Sequence, residues 1–166
     1  MVRELNLSLV FIIVRKLPLP DKPESGLGAI SKDGSCVFNS FAKFYSKEVI
    51  NNIIKKQKKE IGRRIRLLRK NKNLDLTDKS VIIIDDGLSM GSSMEVAVKT
   101  CRNFGAKTIT IVVPTASKAA VKKFEKLVEK VVCIDIRENF VAVADAYEEW
   151  HDVDWKEISK ILKNSM

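Results

Sequence analysis

Hydrophobic positions change period several times along this chain. Leu7 to Val14 is apolar and β-branched, which predicts a buried strand. Pro18, Pro20 and Pro23 follow and exclude regular structure there. Lys32-Asp33-Gly34 predicts a turn between two short extended pieces, Gly28–Ser31 and Ser35–Asn39. From Lys47 the spacing becomes helical. Ile50, Ile54, Ile61, Ile65 and Leu68 share one face, and lysines and arginines take the other. Asn71 to Asp78 reads as a polar loop.

The second half alternates more regularly. Val81-Ile82-Ile83-Ile84 predicts a central strand, and Ser92 and Ser93 are the candidate caps of a helix over Met94–Phe104, stopped by Gly105. Thr108–Val113 predicts the next strand, ended by Pro114. Ser117 caps a helix running to Lys130, with Ala120, Phe124, Leu127 and Val128 facing inward. Val131–Ile136 predicts a further strand. Asp154-x-x-Glu157 has the spacing of a capping box before a last helix that buries Trp155, Ile158 and Leu162. Strands joined by single helices run parallel with right-handed crossovers. The expected fold is therefore α/β, a doubly wound and mostly parallel sheet, in one domain spanning residues 1–166.

Composition narrows the classes. No apolar run approaches the ~18 residues that cross a bilayer. Leu7–Val14 is followed by Arg15 and Lys16 and not by a cleavage site, so neither membrane anchor nor signal peptide is expected, and a cytoplasmic location is. Cys36, Cys101 and Cys133 lie far apart without a CxxC, and His151 is the single histidine. Buried reduced thiols are expected, with no structural zinc, and His151 reads as a surface residue. The net charge of +9 is concentrated: ten Lys and Arg between Lys55 and Lys72 face one acid, Glu60. Polyphosphate or nucleic-acid contact is one reading. A solvated helix face is preferred, because no aromatic residue interleaves with these charges to stack on bases. Nucleic acid is accordingly not expected as a partner.

The chemistry concentrates in Asp85-Asp86-Gly87-Leu88-Ser89-Met90-Gly91-Ser92-Ser93. Two carboxylates end a strand at the edge where open α/β sheets bind ligands. Glycines allow close backbone approach, and successive N–H groups followed by a helix start suit a phosphate. Several charge-assisted hydrogen bonds of ~1.5–3 kcal/mol each outweigh the helix dipole's ~0.3–1 kcal/mol. Carboxylates beside a phosphate make sense when the ligand also offers sugar hydroxyls or brings Mg²⁺. No G-x-x-x-x-G-K-[ST] or G-x-G-x-x-G is present.

Four apolar residues, two acids and a small-residue loop resemble the 5-phosphoribosyl-1-pyrophosphate (PRPP) motif of type I phosphoribosyltransferases, most closely those of bacteria and archaea. The likeness extends to Val14-Arg15-Lys16-Leu17, Pro23-Glu24, Gly28-Ala29-Ile30, and Asn139-Phe140-Val141-Ala142-Val143 with Tyr147. The resemblance implies a three-layer α/β/α domain with one antiparallel strand. It implies ribose contacts from Asp85 and Asp86, directly or through Mg²⁺. Gly87, Leu88, Ser89, Met90, Gly91, Ser92 and Ser93 would hold the 5-phosphate, Arg15 and Lys16 would lie on the pyrophosphate side, and Phe140 would lie near the acceptor. The plain alternatives are a solvated strand end for Arg15-Lys16 and core packing for Phe140.

Three departures from the family pattern bear on activity. Enzymes of 6-oxopurine salvage place a catalytic-base aspartate three residues after the second acid, where this chain has Ser89. Met90 replaces a hydroxyl residue of the phosphate loop. The family's first strand, its pyrophosphate loop and the helix after it precede the segment resembling Val2–Val14, and this chain starts at Met1. Absence of that strand is expected to expose two strand edges; either the true start lies upstream, or rearrangement or homo-oligomerisation repairs the gap. The leading expectation is an Mg²⁺-dependent transferase moving phosphoribose from PRPP to a nitrogenous, small-molecule acceptor. A non-catalytic PRPP- or nucleotide-binding regulatory module is the alternative, and a nucleic-acid-binding protein comes third.

Overall fold

The structure, a computed structural model, describes residues 4–22, 25–69, 73–138, 140, 142–151, 153–154, 157–158 and 160–161. In chain order it contains β1 (Val14–Pro18), β2 (Gly26–Ser31), β3 (Cys36–Phe38), α1 (Lys47–Arg69), β4 (Ser80–Ile84), α2 (Ser92–Asn103), β5 (Thr108–Ser117), α3 (Lys118–Phe124) and β6 (Lys130–Arg137). Short 3₁₀ turns occupy Ser40–Phe44 and Val143–Ala146. The α/β class matches expectation, and the strands divide into two sheets. β1, β2 and β3 are antiparallel; β4, β5 and β6 are parallel, in that order. Among the described residues, β1 and β4 each pair with one strand neighbour.

Adjacent residues of a strand point to opposite faces, and β2 uses both. Ile30 packs with Ile61 and Ile65 of α1. Ser31, next along, shares a hydrogen bond with Thr100 of α2 (Oγ–Oγ1 2.8 Å). The antiparallel sheet thus lies between α1 and α2. The parallel sheet is covered on one face, where Met94, Val98 and Cys101 of α2 and Phe124 of α3 bury Ile109, Ile111 and Val113. On its other face Ile82, Ile84, Val132, Ile134 and Ile136 stay exposed, Ile134 at 88%.

Several boundaries differ from the sequence reading. The first strand is Val14–Pro18; residues 7–13 have no regular structure, and Leu7, Leu9 and Val10 are exposed. A strand gains its hydrogen bonds from a neighbour, and β2 reaches no further back than Val14, opposite Ser31. Strand β5 continues through Pro114 to Ser117. Its pairing with β4 ends at Ile84↔Val112, so beyond Val112 it is paired in full on the β6 side only and tolerates a residue without N–H. Helix α3 stops at Phe124 because Lys130 already pairs with Thr110, and Leu127 is exposed. Of the three thiols only Cys101 is buried, which pushes it up to about 11; Cys36 and Cys133 are half-buried. Asp154 accepts from the Glu157 N–H (2.8 Å), the expected cap, while Trp155 and Leu162 lie outside the described residues, as do Pro23 and Glu24.

Candidate functional site

Asp85 and Asp86 leave β4 at its carboxyl end. The Asp85 N–H donates to the Val112 carbonyl (3.4 Å), continuing the ladder one step, and the Asp86 N–H donates to Asp85 Oδ1 (3.1 Å). β4 was expected to be central. It is the edge of its sheet, and β5 is the centre, because β4 pairs only with β5 among the described residues. Desolvation at the strand end raises the Asp85 pKa first, and the Asp86 charge adds to it. Two adjacent carboxylates with no cation are electrostatically unfavourable.

Leu88 fastens the loop. Its side chain is buried, its N–H donates to the Thr115 carbonyl (3.0 Å), and its carbonyl accepts from the Ser117 N–H (2.9 Å). That amide is therefore committed to the protein. The Ser117 hydroxyl donates to the Ser89 carbonyl (2.9 Å) and accepts from the Ala120 N–H (3.1 Å). One serine thus caps α3 and pins the loop. Met90 projects into solvent.

Helix α2 starts earlier than expected. Its N-cap is Gly91, at φ 75° and ψ 14°, and Ser92 and Ser93 are its first helical residues and not its caps. A Cβ at Gly91 would fall 2.5 Å from Phe124 Cε2, so backbone conformation and close packing both require glycine. The first amides of a helix have no intrahelical acceptor. Those of Ser92, Ser93 and Met94 therefore offer donors at the positive end of the dipole. Glu95 in that first turn would oppose an anion, but Lys99 (3.0 Å) and Lys123 (2.6 Å) neutralise it. Partial burial raises the Glu95 pKa; the hydrogen bonds from Lys123 and Lys99 outweigh it and leave it lowered.

A second segment folds over the loop. A Cβ on Gly87 would lie 2.6 Å from Val143 Cγ1, so the Val143–Ala146 turn rests directly on the loop. The Tyr147 hydroxyl donates to the Asp86 carbonyl (2.6 Å), and the Trp150 ring lies 5.3 Å from the Tyr147 ring. Arg137 pairs with Asp135 and donates to the Asp145 carbonyl (3.2 Å), while Thr115 donates to Asp135 (3.4 Å). The expected residues thus sit in three places. Asp85 to Ser93 are contiguous. Phe140 is half-buried in the segment that leads from β6 to this cover. Arg15 and Lys16 are on β1, whose first residue, Val14, pairs with Ser31 beside Thr100 near the carboxyl end of α2. Arg15 leans on α1, donating to Gln57 (3.2 Å), and Lys16 is exposed.

A family model described as the phosphoribosyl transferase domain matches residues 1–149. The chain belongs to this family. Two proteins of Mycobacterium tuberculosis, from strains H37Rv and CDC 1551, carry the description "putative phosphoribosyl transferase" and are 28% identical over 164 residues, 96% of this chain. The chain spans about 37% of the length of these relatives. The crystal structure of the protein TT1426 from Thermus thermophilus superposes with a TM-score of 0.71 at 27% identity, covering 98% of this chain and 79% of that one.

Within this phosphoribosyl transferase domain the donor set fits a magnesium ion held through water and substrate oxygens. Asp85 and Asp86 supply two hard oxygen donors, and no group of three or more potential ligands occurs among the described residues. The residues that sequence reasoning missed are Thr115, Asp135, Arg137 and Asp145. Thr115, Ser117 and Asp135 come to the site because β5 and β6 outrun β4. The β-branched run Thr108–Val113, taken up again by Thr115 just past Pro114, was the available signal.

Proposed function

We propose that this domain binds PRPP together with Mg²⁺ and transfers phosphoribose to a nitrogenous small-molecule acceptor. The observation that carries the reading is the adjacency of an acid pair and a glycine-capped helix start at one sheet edge. Amides of Ser89, Gly91, Ser92 and Ser93 hold the 5-phosphate, and Asp85 and Asp86 accept hydrogen bonds from the ribose hydroxyls. Bound Mg²⁺ offsets negative charge on the pyrophosphate. The C1–O bond breaks with its electron pair on pyrophosphate, the acceptor nitrogen forms the new bond to C1, and its proton passes to solvent. The chain's residues supply orientation and electrostatics. Lys16 faces the departing group, and Phe140 and Tyr147 border the acceptor.

Ser89 favours a second reading, a PRPP-binding module without catalysis. It occupies the position of the salvage base, and its carbonyl is held by Ser117. Calorimetry with PRPP and Mg²⁺ at millimolar concentration tests both readings. Saturable heat and thermal stabilisation are expected, and their absence defeats both. Pyrophosphate release with a panel of purine and pyrimidine bases then separates transferase from binder.

A further inference from the structure

The chain's surplus charge sits on one element. Helix α1 carries nine lysines and arginines against Glu48 and Glu60, a net +7 of the chain's +9. Glu60 is engaged by Arg63 and Arg64, at 2.8 Å each. The apolar edge of α1, with Ile61 and Ile65, is buried against the antiparallel sheet, so this helix has no free apolar face for a bilayer. On the opposite ridge Lys55, Lys56, Lys59 and Arg66 are exposed. Among the described residues these four make no ion pair. Lys55 and Lys56 stand four and three residues before Lys59, about 6 Å from it between Cβ atoms, and Arg66 follows about two turns further along the same ridge. The row from Lys55 to Arg66 spans roughly 16 Å of helix axis.

A second feature precedes the first in the chain. Phe38, Phe41 and Phe44 are exposed at 46%, 52% and 72%. They lie on β3 and on the Ser40–Phe44 turn, just ahead of α1. Lys43 Nζ sits 5.0 Å from the Phe44 ring centroid. Ser46 ties turn to helix, because its hydroxyl accepts from the Val49 N–H (3.3 Å) and its carbonyl from the Ile50 N–H (3.1 Å). Phenylalanine has no polar group that draws it to water, and three exposed rings within seven residues invite a partner. An acidic protein would use the cations and leave the rings idle. A duplex hides its base faces. A single strand offers phosphates to the ridge and base faces to the rings. The charge run alone, with no aromatic among residues 55–72, did not point this way; the fold supplies the rings just upstream.

We propose that Phe41, Phe44 and the Lys55–Arg66 ridge of α1 form a binding surface for single-stranded nucleic acid. This surface is additional to the phosphoribose site and does not depend on it. The test is fluorescence anisotropy of the full chain with labelled oligo-dT, oligo-U and a duplex of equal length, between about 50 and 200 mM salt. Single strands should bind with a log–log salt slope of about −3, four cations at about −0.7 each. The triple variant K55Q/K59Q/R66Q should lose at least about tenfold in affinity at the low-salt end, and its slope should shrink by about 2. F41A/F44A should lose about fivefold or more for single strands with the slope unchanged. All five positions are exposed, and unaltered circular dichroism would confirm the fold of both variants. No saturable binding at about 50 mM salt overturns the proposal. So does a duplex bound as tightly as a single strand, or displacement of the oligomer by polyglutamate at matched charge, which would mark an acidic-protein surface.

Discussion

Gly91 stands where the α2 backbone must turn left-handed and where Phe124 closes against the loop. Either demand alone favours glycine, and the two can be separated by substitution. Gly34 also has a positive φ, of 98°, but a Cβ there meets nothing within 4 Å. Gly34→Ala should cost about 1–2 kcal/mol from backbone strain alone. Gly91→Ala adds overpacking and should cost about 2–5 kcal/mol in urea unfolding, with PRPP binding lost. Asp85 is a contrasting residue, one that costs stability where it stands. Its raised pKa means that the folded state binds its proton more readily than the unfolded state, so stability falls as pH rises through the carboxylate range. Asp85→Asn should therefore raise the melting temperature of the ligand-free protein at neutral pH and abolish PRPP binding. Its thermal advantage should fade in acid, where Asp85 is neutral too. An Asn variant less stable than the parent at pH 7 would contradict the electrostatic account.

The elements are joined by a small polar cluster. Asp33, in the β2–β3 turn, accepts hydrogen bonds from Ser31, Ser35 and Asn103 (2.9 Å), and Thr100 donates to the Ser31 hydroxyl (2.8 Å), linking the antiparallel sheet to the carboxyl end of α2. Partial burial raises the Asp33 pKa, and the hydrogen bonds from Ser31, Ser35 and Asn103 overcome it and hold it at about 2 against an ordinary 3.8. A depressed carboxylate stabilises the fold above its unfolded value, and that contribution disappears as pH falls through the folded one. Asp33→Ala should lower stability by about 1–2 kcal/mol at neutral pH. The gap to the parent should close between about pH 4 and pH 2 in chemical denaturation. The turn itself was legible, since Lys-Asp-Gly between extended pieces has one common outcome. So were α1, from its 3.6-residue period, and the turn out of β4 after Ile84, from the acids and glycines that end its apolar run. The start of α2 was not. A serine is the better cap by local preference, and Gly91 wins through a ring 33 positions away. Nor was the length of β5, because what Pro114 permits depends on where β4 stops. The unpaired residues 7–13 mark the same limit, since a strand's apolar pattern does not reveal whether a neighbour exists.

At the scale of the molecule, α2 is the shared wall, packed on the antiparallel sheet through Thr100 and on the parallel sheet through Met94, Val98 and Cys101. The proposed site lies at its amino end and the Asp33 cluster near its carboxyl end, so disturbing the cluster should tilt the helix whose first amides are proposed to hold the phosphate. Among the described residues the parallel sheet keeps one face unroofed, although sheets of this kind normally bury both. That asymmetry has a calorimetric consequence. Apolar surface already wet in the native state adds nothing to the heat capacity increment of unfolding. A 166-residue chain would ordinarily show about 2.0–2.5 kcal/mol/K, at ~12–15 cal/mol/K per residue. Scanning calorimetry of the dilute chain should return a value below that range, and a full-sized increment would mean that Ile82, Ile84 and Ile134 are dry in solution.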